Sequence, residues 1–209
     1  MECVCHTIKL GAVGKLPYEI CMEMYEQVMI CFVASALNGN DELFTIAFAI
    51  ADSETYENWK WFLNNLKKAL LSGRRTVFIS DRAKDLKEAV PEIFPMDHHG
   101  YCLRHIKANF MTEAAARYRK ALKDSMVKTL NKVAFALNES EYVAALTEME
   151  RKSPEAKDWI LRNDVEHWAN TQFPGERTLW SDGDHWLSTA VSLVSTTTDF
   201  LLFCQNLVV

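Results

Sequence analysis

Residues 28–37 (VMICFVASAL) form an unbroken apolar run rich in strand-forming side chains, and 42–50 (ELFTIAFAI) form a second. Between them stands Asn38-Gly39, a pair that tolerates positive φ and favours a tight turn, so the pattern predicts a β-hairpin. Neither run alternates with polar residues, which predicts strands buried on both faces. In the next stretch Trp59, Phe62, Leu63, Leu66 and Leu70 recur at helical spacing. Ser53 or Thr55 is placed to cap that helix and Gly73 to close it. TVFIS (76–80) reads as a short buried strand ending at Asp81, and a helix over 83–90 is expected to stop at Pro91.

Beyond Pro95 the texture becomes helical. Ile106 and Phe110, then Ala121, Leu122, Met126, Leu130, Val133, Ala134 and Leu137, are spaced as amphipathic helices. Two more follow at 139–151 and 154–161, the latter opened by Ser153-Pro154. No internal repeat is visible.

Composition narrows the class. With 49% hydrophobic and 24% charged residues in 209, the chain can bury a substantial core, which excludes disordered and low-complexity classes. The six cysteines show no repeated spacing and the N-terminus lacks a signal-peptide apolar stretch, so reduced thiols in an intracellular compartment are expected. No apolar run, the one inside FLLFCQNLVV included, approaches the roughly 20 residues that cross a bilayer, and no membrane partner is expected.

The net charge of −5 conceals a basic segment, since residues 102–133 carry eight basic and two acidic side chains. Arg104, Lys107, Arg117, Lys120 and Lys123 head the candidates for a phosphate-facing surface, with Arg119, Lys128 and Lys132 nearby. The competing reading is a solvated helix face that pairs with the acidic remainder.

Asp81 is the leading catalytic candidate. An acid at the end of a strand flanked by helices projects toward the crevice where α/β sheets place their sites. It is equally placed to cap the helix that follows.

Taken in order, LNGNDELFTIAFAIADSETYENWKWFLNNL, FISDRAKDLKEAVPEIFP, HHGYCLRHIKANF and SPEAKDWI with VEHWANTQF resemble the transposase domain of plant Mutator-like elements (MULE). Far-red-impaired-response regulators share the pattern. The resemblance covers about residues 25–173, leaving 1–24 and 174–209 unplaced. It implies an α/β, RNase H-like mixed sheet with flanking helices over 25–101, and a helical insertion over 102–173. In that family an Asp, Asp, Glu set holds two Mg²⁺ or Mn²⁺ ions, which activate the attacking oxygen and stabilise the leaving one. The second Asp falls on Asp81.

The other two acids depart from the family pattern. Where the first Asp should open an Asp-Gly-Thr strand end, the chain has PYEICMEMYEQ, with Glu19 nearest and Glu23 next. Where the Glu motif should stand, LWSDGDHWLSTAV places His185 with Asp182 and Asp184 beside it. Glu19 and Asp184 are therefore the substitute catalytic acids, and impaired strand cleavage is expected.

Cys102-x-x-His105 matches a family signature, and a zinc site completed by His99 and His167 stands against buried packing residues. Cys3-x-Cys5-His6 has no second ligand pair at usable distance. Trp59, Phe62, Trp159 and Trp168 are core aromatics by spacing and Trp61 alone falls off the stripe, with base stacking the functional alternative for all five. The resemblance implies DNA as partner, a nuclear location and self-association; no DNA-end-recognition module is seen. A domesticated nuclear DNA- or protein-binding regulator, or a transposon fragment from a truncated or mispredicted gene, is the alternative expectation.

Overall fold

The computed structural model describes residues 8–10, 30–37, 43–70, 75–174 and 190–196. Its strands are β1 (Ile8–Leu10), β2 (Ile30–Leu37), β3 (Leu43–Ala51), β4 (Val77–Ser80), β5 (His98–Tyr101) and β6 (Ala190–Thr196). The helices are α1 (Tyr56–Ala69), α2 (Lys84–Ile93), α3 (Leu103–Glu113), α4 (Lys120–Phe135), α5 (Glu139–Lys152) and α6 (Pro154–Arg162), followed by a 3₁₀ turn at Val165–His167. The described strands form one mixed sheet in the order β1-β3-β2-β6-β4-β5, an α/β arrangement compatible with an RNase H-like fold. The chain divides into two compact units, 1–98 with 186–209, and 99–185.

In the first unit β2 and β3 pair antiparallel from Ile30↔Ala51 to Leu37↔Leu43, with Ile46 as an extra residue where the register shifts. The Asn38-Gly39 turn lies outside the described residues. Alternation sends Ile30, Phe32 and Ala34 to one face, where they join α1 and α2 in the main core. Cys31, Val33 and Phe48 make a smaller buried cluster. Burial on both faces therefore holds for the first half of β2, but Phe44 near the start of β3 is exposed. The expectation of two wholly buried strands is corrected to that extent: the end of the ladder lies beyond the reach of the main core.

Helix α1 buries the stripe Trp59, Phe62, Leu63 and Leu66 against the sheet, with Phe32 stacked on Trp59 at 4.2 Å between ring centroids. Thr55 is its cap, accepting the N–H of Asn58 through its side chain. The helix ends at Ala69 with an extended Leu70, ahead of the expected Gly73. Leu70 there packs, half-buried, against the main core rather than continuing the helix.

Pro91 does not stop α2, which runs on to Ile93. A proline removes one N–H and crowds the preceding turn, a cost of about 3 kcal/mol inside a helix. Here burial of Ile93 and Phe94, worth about 1.5–3 kcal/mol for each large apolar side chain, offsets it. Phe94 also packs, tilted, against Phe78 of β4 at 4.2 Å between ring centroids.

Strand β6 is the main element that hydrophobic periodicity did not single out. It lies antiparallel to β2 (Cys31↔Thr196 to Ala36↔Val191) and parallel to β4 (Val77↔Ala190 to Ile79↔Ser192), with Val191 and Leu193 in the core.

The second unit packs α3 to α6 around Ile106, Phe110, Met126, Leu130, Met149 and Ile160, all fully buried. Asn138 and Ser153 cap α5 and α6 through their side chains, and Pro154 occupies the first turn of α6. Trp159 and Trp168 lie in this core with their indole N–H groups donating to Glu113 and to the Asn163 carbonyl, so both are packing residues. Leu137, expected on the apolar stripe, is exposed just beyond the C-terminus of α4, where the helix no longer carries it inward.

Candidate functional site

Three strands run the same way. β4 is parallel to β6, β6 antiparallel to β2, and β2 antiparallel to β3, so β3, β4 and β6 all end on one edge of the sheet. Asp81 follows β4 at that edge and is half-buried. Its Oδ1 accepts the Ala83 N–H at 3.0 Å, while the Ser80 hydroxyl donates to its carbonyl at 2.6 Å. The formal cap of α2 is Ala83, which has no side chain to offer. One carboxylate oxygen of Asp81 thus shapes the turn into the helix.

Asp52, just after β3, ends on the same edge. Three strand spacings separate β3 from β4, about 14 Å. Its carboxyl is held below the ordinary value by hydrogen bonds from Ser53 and from Asn58, whose amide donates at 3.0 Å. Asp52 therefore organises its own turn and stands too far off to share an ion with Asp81, since paired metals sit about 3.5–4 Å apart.

Between those acids runs β6. Carrying its register with β4 two residues past Ile79↔Ser192 sets Leu193 beside Ser80 and Val194 beside Asp81. The strand flanking Asp81 thus offers hydroxyl and apolar side chains and no carboxylate among its described residues. Glu19, Glu23, Asp182, Asp184 and His185 lie outside the described residues. Among the described residues no three His, Cys, Asp or Glu side chains gather closely enough to hold a metal ion. Asp81 with its described neighbours does not fit a two-metal centre.

Arg82 went unremarked by the sequence reasoning, being one cation in a segment of mixed charge. The structure half-buries it, and its Nε and Nη1 are shielded from solvent without a hydrogen-bond partner among the described residues.

In the second unit Cys102 is the cap residue of α3 without a side-chain cap bond, and His105 lies one turn on. Both are half-buried, and His105 Nδ1 is shielded with no partner among the described residues. His99 and His167 do come together: His167 Nδ1 donates to the His99 carbonyl at 2.6 Å, and Tyr101 stacks on His167 at 4.5 Å. A carbonyl can only accept, so the proton of a neutral His167 resides on Nδ1.

The basic candidates divide by environment. Arg104 is exposed and Lys107 half-buried on α3; Lys120 is exposed and Lys123 half-buried on α4. Among the described residues none of the four forms an ion pair with a carboxylate. Arg117 is committed locally, donating to the Tyr118 hydroxyl at 3.0 Å and lying 3.2 Å from Glu155. Tyr118 and Glu155 hold its guanidinium further toward the charged form. Lys132 is engaged too, at 2.7 Å from Glu148.

A mixed sheet with an acid at the end of β4 and a separate helical unit defines an α/β domain of the kind compatible with RNase H-like proteins. Residues 24–109 match the family model of the MULE transposase domain, a span that takes in β2 to β5, Asp81 and the Cys102-x-x-His105 turn. The chain is also 26% identical over 100 residues to the transposase for insertion sequence element IS1201 of Lactobacillus helveticus, covering 48% of this chain and 27% of that protein. It is 22% identical over 101 residues to the PKS-NRPS hybrid synthetase cheA of Chaetomium globosum, covering 47% of this chain and 2% of that protein. The chain spans less than a third of the length of either curated relative. The family model and the transposase relative support a transposase-derived function.

Proposed function

We propose that this chain is a MULE-type, transposase-derived domain that holds DNA without cutting or joining it. The supporting observation is the edge around Asp81: the neighbouring strand β6 carries Ser192, Leu193 and Val194 there, and Asp52 is three strands away. In-line phosphoryl transfer by two metals needs carboxylates that flank and bridge both ions. Losing one such electrostatic contribution commonly costs a factor of about 10² to 10³, so two losses leave a rate near background. DNA attraction falls to Arg104, Lys107, Lys120 and Lys123, cations with no paired carboxylate among the described residues.

The test is strand cleavage and strand transfer on terminal-inverted-repeat duplexes with Mg²⁺ or Mn²⁺, beside gel shifts over a salt series. The expected result is salt-sensitive retention of duplex with no nicking. Metal-dependent nicking that disappears in Asp81→Ala would overturn the inactive reading and assign catalytic roles to acids outside the described residues. Absence of any duplex binding would overturn the DNA-holding reading.

A further inference from the structure

In the second unit α4 and α5 run antiparallel through the short connection at 136–138. Lys132 reaches Glu148 at 2.7 Å, and the Lys152 ammonium donates to the Ser125 carbonyl at 3.1 Å. The outer side of this helix pair is not filled. A groove of about 350 Å³ opens there on an apolar floor of Phe135, Ala136, Ala144 and Ala145. Two large apolar side chains adjoin that floor in sequence and stand in solvent: Leu137 after Ala136, 55% exposed, and Val143 before Ala144, 50% exposed. One exposed leucine calls for no explanation, whereas an open apolar groove with two such neighbours has the pattern of an interaction surface.

The charges on the rim select the partner. Lys132 and Glu141 both line the groove, at opposite ends. Lys132 is level with Glu148, and Glu141 lies seven residues before Glu148 on α5, about 10 Å away at the rise of a helix. Glu148 does not depend on Lys132 alone, since Lys152 and Thr129 also donate to it, and the Lys132 side chain is 60% exposed. The Glu141 carboxylate accepts only from neutral donors, the Leu137 N–H at 2.9 Å and the Asn138 amide at 2.8 Å, and meets no cation among the described residues. A two-fold axis through the floor sets each end of the groove against the opposite end of an identical copy, so one cation and one unmatched acid become two ion pairs. The same rotation turns Leu137, which stands between the floor and Glu141, toward the floor of the other copy.

We propose that this groove is a self-docking surface, on which a second copy of the chain seats about a two-fold axis, Leu137 of each copy covering the apolar floor of the other and Glu141 of each meeting Lys132 of the other. None of the four cations assigned to DNA takes part. The face of the helix pair is about 24 Å long and about 20 Å wide, which offers about 500 Å² per copy against the roughly 800 Å² of a standard interface. The dimer is therefore weak, with a dissociation constant in the range of about 10 to 100 μM.

Sedimentation equilibrium of the full chain without DNA, over a concentration series that spans this range, tests the proposal. Wild type should move from monomer to dimer, and Leu137→Asp, altered at an exposed position, should stay monomeric. Lys132→Glu alone sets Glu against Glu141 twice, and Glu141→Lys alone sets Lys against Lys132 twice, so each should associate at least about ten-fold more weakly than wild type. An equimolar mixture of these two variants restores opposite charges at both contacts and should dimerise as wild type does. Wild type that stays monomeric throughout overturns the proposal. A dimer that survives Leu137→Asp lies on another face and overturns it as well, and weakened variants whose mixture does not recover overturn the two-fold pairing. Circular dichroism checks that each variant is folded; should either charge variant fail to fold, wild type and Leu137→Asp still decide.

Discussion

The Asp81 carboxylate accepts the Ala83 backbone N–H at 3.0 Å, across the turn that joins β4 to α2. The residue expected to serve chemistry therefore shapes the helix start, which gives the capping reading of Asp81 its physical basis. Asp81→Ala should destabilise the chain by about 1 kcal/mol, the usual loss when a helix-entry acceptor is deleted, while Asp81→Asn, which keeps the oxygen, should cost a few tenths. Urea unfolding followed by circular dichroism checks this. Equal losses for the two variants would show that the charge, and not the acceptor, matters.

Leu193 is 1% exposed in the strand that stands between β2 and β4. Leu193→Asp puts a charge into the main core, and the loss should reach about 4 kcal/mol or more, enough to abolish folding of this unit. Val194→Asp, at an exposed neighbouring position on the same strand, should change stability by less than about 1 kcal/mol. A tolerated Leu193→Asp, seen as an unchanged urea midpoint, would remove β6 from the core.

Lys132, Lys152 and Thr129 hold the Glu148 carboxyl down to about 2, well under its ordinary 4.5. Lys152 approaches at 2.8 Å and Lys132 at 2.7 Å, tying α4 to α5. Because the folded value lies below the unfolded one, this stabilisation is complete above about pH 4.5 and fades as pH falls toward 2. Glu148 keeps about a third of its side-chain surface in solvent, so screening reduces its worth to about 1 kcal/mol. Glu148→Gln should therefore be less stable than wild type at pH 7 and nearly equal to it at pH 2.5. A gap that persists at pH 2.5 would mean packing, not charge, is lost.

Lys120 and Lys123 are one turn apart at the start of α4 and without a carboxylate partner among the described residues. Replacing both by Gln should weaken duplex binding for every sequence alike and lower the salt slope by about two. Arg117→Gln should change binding little, because Tyr118 and Glu155 already occupy that guanidinium. Anisotropy titrations on two unrelated duplexes, at several salt concentrations, separate these outcomes.

Much of the architecture was legible along the chain because local patterns met no opposition. The stripe Trp59, Phe62, Leu63 and Leu66 is the buried face of α1, and Thr55, Asn138 and Ser153 cap helices as their residue types predict. The apolar runs around 30–37 and 43–51 pair as expected, and Asp81 ends its strand. Tertiary packing decided the rest. Burial of Ile93 and Phe94 carried α2 past Pro91, a balance of two terms of similar size that no local signal weighs. AVSLVST became a strand because the gap between β2 and β4 offered it backbone partners on both sides, a non-local reward for a short and ambiguous apolar run. That same placement left Asp81 beside a strand with no described carboxylate. It is also only in three dimensions that the Nε and Nη1 of Arg82, one cation among many in the sequence, become shielded from solvent without a partner among the described residues, since burial and pairing are properties of neighbours that the chain brings together from afar.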